Sequence, residues 1–388
     1  MMLKTTALMH STHQIRFKVL GMMSGTSMDA LDLAACTFDW EKQAQEWSVT
    51  LDSLVEIPLT PAWRLRLASM VDASAVEWFE CERDWTRWCG SAVRDAFGDV
   101  QTFDLVSFSG QTIFHRPHQG WTGQLGSGAE LYASLGGATP VVSDLRRLDV
   151  ALGGQGAPLV PVADAILFNE FEACLNLGGF ANISMEQAGQ RRAWDIGPCN
   201  LVLNAFAERT GQAYDENGAL AQSGSVLPEL LHRWRALPYH RQPPPKSLGV
   251  EWLESDFWPV VREWELTSPA SPSDLLATAV AYMASEVRHA TSGRRTLVTG
   301  GGAFNAHLLN ALSASQMPHV SGPAIPIVVP SPNLIRGKEA MAFAFLGLLR
   351  WLNVPNVWPE VTGCSQAHIA GALWGKKDVS SRTPNSMQ

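Results

Sequence analysis

The sequence predicts an α/β protein built as two lobes, and three observations lead there. The chain has 388 residues, more than one ordinary hydrophobic core serves. Short apolar runs ending in glycine turns alternate with segments of helical period. The opening strand–turn–strand pattern also returns beyond a glycine-dense break, Gly153-Gly154-Gln155-Gly156-Ala157-Pro158.

The elements follow in chain order. Ile15 to Leu20 and Leu31 to Phe38 read as two strands around a turn, Gly21 to Ala30. Glu77 to Phe97 is helical in period, with Trp78, Cys81, Trp85, Trp88 and Val93 near one face. Asp104 to Phe108 is a strand ending at Gly110-Gln111, and Thr139 to Val142 is another, ending at Asp144. The glycine-dense break sets a division into residues 16–150 and 151–373. Beyond it come strands at Ala173–Leu177, Asn182–Met185 and Ala193–Pro198, then an amphipathic helix from Asn200 to Thr210. Pro243-Pro244-Pro245-Lys246 is a rigid linker. Ser273 caps a helix running to His289. Thr296–Thr299 is a buried strand ending in Gly300-Gly301-Gly302, with Asn305 to Ala314 as the following helix. Ala340 to Trp351 is apolar almost all round and therefore a buried helix. The tail from Lys376 is polar and expected to fray.

Hydrophobic residues make up 46% and charged residues 17%, a globular composition. A net charge of −8 argues against a nucleic-acid partner, which needs a basic surface. It does not bar a nucleotide held by loop amides and Mg²⁺. The cysteines, Cys36, Cys81, Cys89, Cys174, Cys199 and Cys364, are scattered with no CxxC pair. They read as buried free thiols, with no disulfide framework or zinc site. Met1 to Ile15 lacks the apolar core of a signal peptide. The longest apolar run, Ala340 to Leu349, is too short to span a bilayer. A cytoplasmic protein without a membrane partner is expected.

Three turns carry candidate chemistry. Gly21–Ala30 offers the hydroxyls of Ser24, Thr26 and Ser27, amides that can approach phosphate oxygens, and Asp29, which suits a Mg²⁺-bound water. The same residue types also serve an ordinary hairpin turn. Asp195 to Asn200 offers a carboxylate, Gly197 and Asn200; a strand-end Asp also caps helices. Gly300–Gly302 follows a strand and opens a helix. Two hairpin turns and a glycine-rich loop are what a two-lobed phosphoryl-transfer enzyme requires.

Particular words then narrow the reading. They are Met23-Ser24-Gly25-Thr26-Ser27-Met28-Asp29, Gly110-Gln111-Thr112-Ile113 with His115, and Gly153-Gly154-Gln155-Gly156-Ala157-Pro158-Leu159-Val160-Pro161. Asn176 to Asn182, Asp195-Ile196-Gly197-Pro198, Pro245-Lys246-Ser247, Gly300 to Asn305 and Glu339 to Ala344 extend the match over nearly the whole chain. On these words the chain resembles the anhydro-N-acetylmuramic acid kinases of the two-lobed actin, hexokinase and Hsp70 superfamily.

The resemblance implies two ribonuclease-H-like lobes around a central nucleotide/sugar cleft. Residues 16–150 would carry the phosphate-binding hairpin turn; 151–373 would carry the catalytic Asp and adenosine loop. It implies a homodimer that uses ATP and Mg²⁺ to open a 1,6-anhydrosugar with water and phosphorylate O6, in recycling of cell-wall sugars. Asp195 matches the catalytic base, and Ser24, Gly25, Thr26, Ser27, Met28 and Asp29 match the phosphate loop. Gly300, Gly301 and Gly302 match the adenosine side. Gln111, Asp144, Arg146, Arg147 and Glu339 match the sugar side, with Asp149 and His115 nearby; Gln111 and His115 also suit core hydrogen-bonding. No side chain is expected as a direct metal ligand. Leu148 and Val250 stand where the family pattern carries arginines, which points also to a neutral anhydrosugar such as levoglucosan. A non-catalytic ATP-binding protein of the same superfamily is the alternative from another class.

Overall fold

The computed structural model describes residues 14–244 and 246–375. The leader reading of Met1 to Ile15, Pro245 of the linker and the tail from Lys376 fall wholly or partly outside them. Chain contacts divide the protein into two compact units. The first runs to Ala157 and resumes at Glu339; the second is Pro158–Lys338. The division thus falls after Ala157, and the stretch from Glu339 onward belongs with the first unit, whereas the sequence division kept it with 151–373.

In the first unit β1 (Gln14–Ser24), β2 (Ala30–Glu41) and β3 (Glu46–Pro58) form an antiparallel meander. β4 (Leu105–Arg116) pairs parallel with β1, and β6 (Val141–Ser143) parallel with β4. β5 (Trp121–Leu125) folds back on β4, and Ala372–Trp374 adds an antiparallel edge strand to β6. β1 reads as an apolar run because both faces are covered: Phe17, Val19, Leu20 and Met22 are all fully buried. Helix α1 (Ala75–Phe97) starts at a reciprocal cap in which the Ser74 hydroxyl accepts the Glu77 N–H and Glu77 accepts the Ser74 N–H. Its buried stripe is Cys81, Trp85, Cys89, Ala92 and Val93.

The second unit holds β7 (Ala173–Leu177), β8 (Phe180–Gln187), β9 (Gln190–Pro198), β10 (Thr296–Thr299) and β11 (Ile327–Val328). β7–β8 and β8–β9 are antiparallel; β7–β10 and β10–β11 are parallel. With β5 and the edge strand set aside, each sheet places its strands in the order 3-2-1-4-5, the first three antiparallel and the last two parallel. This is the ribonuclease-H-like arrangement, present twice. α2 (Asn200–Glu208) follows β9 directly, and α3 (Pro272–Thr291) fills the core with Leu275, Leu276, Val280, Tyr282 and Val287.

Three of the boundaries that differ from the sequence reading have a plain physical reason. The cap of α3 is Ser271, whose hydroxyl accepts the Asp274 N–H, because Pro272 is pre-set for the first helical position. β4 runs past Gly110-Gln111 to Arg116, because Gly110, with φ of 70°, bends without ending the ladder. After α4 (Ala306–Ser313), helix α5 spans Pro332–Trp351. Its first turns mix exposed Pro332, Asn333, Arg336 and Glu339 with buried Ile335 and Lys338, so the apolar run begins only at Ala340. α5 packs on β1 where Gly21 leaves room; a Cβ there would meet the Ala340 carbonyl oxygen at 2.0 Å. The Ser107 hydroxyl of β4 donates to the Phe343 carbonyl at 2.7 Å. Every cysteine is buried and free. Among the described residues no helix is long and apolar enough to cross a membrane.

Candidate active site

In the first unit the β1–β2 hairpin narrows to the turn Gly25–Asp29, closed by the Met28 N–H on the Gly25 carbonyl at 3.1 Å. Met28 sits at φ of 53°. Thr26, Ser27 and Asp29 are exposed. Asp29 is held from behind: its Oδ1 accepts the Ser27 hydroxyl at 2.8 Å and the Ala30 N–H at 3.0 Å. Ser24 and Gln111 do not face solvent. Both are buried, the Ser24 hydroxyl donates to Gln111 Oε1 at 2.6 Å, and Gln111 Nε2 donates to the Gly25 carbonyl at 3.2 Å. These two side chains hold the turn from beneath, the core hydrogen-bonding that Gln111 also suited.

Asp32, one step along β2, was not singled out in the sequence. Burial, then the charges of Glu56, Asp29 and Glu339, push its carboxyl up to about 7. Such clustered like charge is what a divalent cation relieves, and carboxylate oxygens are the donors Mg²⁺ prefers. The turn's exposed hydroxyls and this acidic set therefore fit a Mg²⁺–nucleotide.

The expected sugar-side segment separates. Arg146 lies over the Phe343 ring and donates to the Gly156 carbonyl at 2.8 Å, anchoring the glycine loop. Arg147 is exposed and lies 3.7 Å from the Asp144 carboxylate. Burial raises the Asp144 carboxyl, and Arg147 opposes that rise. Glu339 is exposed on α5. Asp149 is fully buried, with its Oδ2 accepting the Gly156 N–H at 2.6 Å. The His115 ring faces the Thr122 hydroxyl at 3.2 Å, and burial lowers its pKa.

In the second unit Asp195 lies on β9, beside Asn182 of β8. Its Oδ2 accepts the Leu248 N–H at 2.8 Å. Burial raises its carboxyl above the usual range, and that N–H opposes the rise. The Asp195 backbone is pinned on both sides, its carbonyl accepting the Tyr239 hydroxyl at 2.6 Å and its N–H donating to the Lys246 carbonyl at 3.0 Å. Asp195 to Asn200 is a passage from strand to helix and not a second hairpin turn. The hairpin of this unit turns at Gly178-Gly179, whose carbonyls accept the N–H groups of Asn200 and Cys199 at 3.1 and 2.9 Å.

Gly300 to Gly302 close on the end of β7. A Cβ at Gly300, where φ is 81°, would meet Asn176 Oδ1 at 2.5 Å, and one at Gly302 would meet the Leu177 Cβ at 2.7 Å. Asn200 Nδ2 donates to the Leu177 carbonyl at 2.9 Å. Asn305 caps α4 through the Leu308 N–H.

Sequence reasoning missed the shell around Asp195. Lys246 Nζ sits 4.4 Å from the Tyr239 ring centroid and donates to the Tyr239 carbonyl at 3.0 Å. His240 Nε2 lies 2.6 Å from the Tyr282 hydroxyl, and burial with the charges of Lys246 and Arg235 brings its pKa down to about 4. Lys246 was visible as part of a recurring word; the aromatic residues around it carried no periodic signal.

The family model described as anhydro-N-acetylmuramic acid kinase matches residues 17–376. A protein of that name from Chromobacterium violaceum is 35% identical over 374 residues, covering 92% of this chain and 98% of its own. One from Bordetella pertussis is 36% identical over 373 residues, with 92% and 95% covered. One from Synechococcus sp. is 34% identical over 388 residues, with 91% and 98% covered. A ROK family glucokinase from Streptomyces griseus, solved with glucose and AMPPNP, is 11% identical with a TM-score of 0.38, covering 85% of this chain and 99% of its own.

Proposed function

Starting from the fact that this chain belongs to the anhydro-N-acetylmuramic acid kinase family, we propose that it opens 1,6-anhydro-N-acetylmuramic acid and phosphorylates the freed O6 from ATP. The observation that carries the reading is Asp195: a carboxylate oriented by one backbone N–H, with its own backbone pinned on both sides. Asp195 takes a proton from water as the water oxygen bonds to C1 and the C1–O6 bond breaks. The released O6 then takes the γ-phosphoryl group, leaving ADP and the 6-phosphate. Phosphoryl transfer depends on positioning and charge neutralisation, roles that fall to Thr26, Ser27, the turn amides and Asp29. Bound Mg²⁺ supplies charge neutralisation at the phosphates. Ser24 and Gln111 hold the turn from beneath. Gly300, Gly301 and Gly302 take the adenosine side.

Arg147 and Glu339 are the exposed members of the sugar-side set, and Arg147 is the fork suited to the lactyl carboxylate. Leu148 and Val250 are exposed apolar side chains at 42% and 60%. They support a second reading, a neutral anhydrosugar as substrate. A coupled ADP-release assay on 1,6-anhydro-N-acetylmuramic acid, its N-acetylglucosamine counterpart and levoglucosan separates the two. Preference for the first supports the proposal; equal kcat/KM for all three moves the substrate to the neutral sugar. ATP turnover with none of them removes the anhydrosugar reading. The proposal also carries a homodimer working in the cytoplasm, with light scattering as its check on assembly.

A further inference from the structure

We propose that Asp149, Cys364 and His368 form a binding site for one divalent cation of the zinc class. The cation would lock the glycine loop Gly153–Pro158 to the segment around Thr362–His368. The three residues are buried, and one ligand atom from each lies within 4.8 Å of the others. All three belong to the first unit.

His368 is 8% exposed, and its Nε2 is buried without a hydrogen-bond partner. Its Nδ1 faces the Gln366 carbonyl at 3.0 Å. A carbonyl only accepts, so Nδ1 carries the hydrogen and the neutral ring leaves a lone pair on Nε2. That lone pair looks toward Asp149 Oδ1, 3.8 Å away. The gap is too long for a hydrogen bond. It suits a shared cation, since zinc sits about 2.0–2.2 Å from nitrogen and carboxylate oxygen. The Gln366 carbonyl is the outer partner that a metal-binding imidazole requires. Cys364, whose thiol faces the Gln366 carbonyl at 3.2 Å, brings its sulfur within 4.8 Å of the other two ligand atoms and completes the donor set.

Asp149 is oriented in advance. Its Oδ1 accepts the Thr362 hydroxyl at 2.7 Å and its Oδ2 accepts the Gly156 N–H. The loop fits so closely on this carboxylate that a Cβ at Gly154 would meet Oδ2 at 2.3 Å. The Gln155 N–H donates to the Thr362 carbonyl at 2.9 Å, and the Ser365 N–H to the Leu152 carbonyl at 3.1 Å. On binding, the Cys364 thiol loses its proton to solvent. Thiolate and carboxylate then cancel the charge of a divalent cation, leaving no uncompensated buried charge.

The test uses the full chain equilibrated with Zn²⁺ and desalted. Metal is counted by mass spectrometry, and Co²⁺ replaces it to give a thiolate-to-cobalt charge-transfer band. About one zinc per chain and a clear band are expected for a three-ligand site. Cys364→Ala should abolish the band, and His368→Gln should weaken retention by at least about tenfold. Should Cys364→Ala fail to fold, His368→Gln and the wild-type band decide. A wild type that retains no zinc overturns the proposal, as does retention unchanged in both variants, which would place the metal on surface groups.

Discussion

The two units share one strand order, yet a half-buried carboxylate of each, Asp32 and Asp195, sits in different surroundings. In the first, burial and three neighbouring acids push Asp32 up to about 7. In the second, Asp195 is raised by burial alone, and a single N–H holds it in place. The hairpin turns differ in the same sense. Gly25–Asp29 presents exposed hydroxyls and an acid, whereas Gly178-Gly179 spends its carbonyls on the start of α2. One scaffold therefore yields a crowded acidic edge and a solitary, oriented carboxylate. The lesson is that turn length and neighbouring charge, more than strand order, divide the chemistry.

The sharpest way to break this comparison is Asp195→Asn. It keeps size and removes proton acceptance, so kcat should fall at least about a hundredfold, the low end of general-base contributions. Nucleotide binding, read by calorimetry, should persist. In the wild type, the acidic limb of kcat/KM should lie above the ordinary aspartate range, with activity rising as pH rises through the raised pKa. A limb at the usual value would show that Asp195 is not the titrating base.

Asp29→Asn and Thr26→Val probe the other side. Each should raise KM for MgATP by roughly tenfold, the effect of one lost charge-assisted contact, with the melting temperature unchanged because the turn is local. Unaltered ATP kinetics in both would reduce the turn to a structural hairpin.

Arg147→Ala should lower kcat/KM for the lactyl-bearing sugar by about tenfold, near 1.4 kcal/mol, and leave a neutral sugar untouched. Arg146→Ala should instead lower stability, because it releases the Gly156 carbonyl and the Phe343 ring. If Arg146 and not Arg147 changes the substrate preference at constant stability, the assignment of the two arginines reverses.

The last effect acts on stability and not on turnover, and concerns Asp32. Its folded pKa lies above the unfolded value, so the folded state holds the proton more tightly and stability falls as pH rises toward 7. Asp32→Asn should therefore stabilise by on the order of 1–3 kcal/mol at about pH 8 and by little near pH 4. Thermal melts across pH in Mg²⁺-free buffer would check this; a pH-independent gain would point to packing instead.

Much of the scaffold was legible because apolar runs ending in glycine leave a local signature. β7, β10 and α1 stand within a few residues of where periodicity placed them. What escaped depended on partners distant in sequence. Gln111 read equally as a sugar ligand or a core hydrogen-bonder, and its place beside Ser24 follows only from the pairing of β1 with β4. Asp32 looked like an ordinary strand residue until Glu56 and Glu339 came beside it. Tyr239, His240 and Tyr282 meet around Asp195 only through folding of the second unit. Cys364 and His368 show no metal-site spacing with Asp149, because the chain returns to the first unit after Glu339.

The burial of all native thiols has a practical consequence. Burial holds them as poorly reactive neutral groups; Cys174 is pushed up to about 11 and Cys199 to about 12. Toward maleimides the native surface is silent. A lone Thr26→Cys would thus be a single reactive handle at the tip of the first hairpin, and the rate at which it is alkylated, with and without MgATP, would report occupancy of that turn without any enzymatic assay.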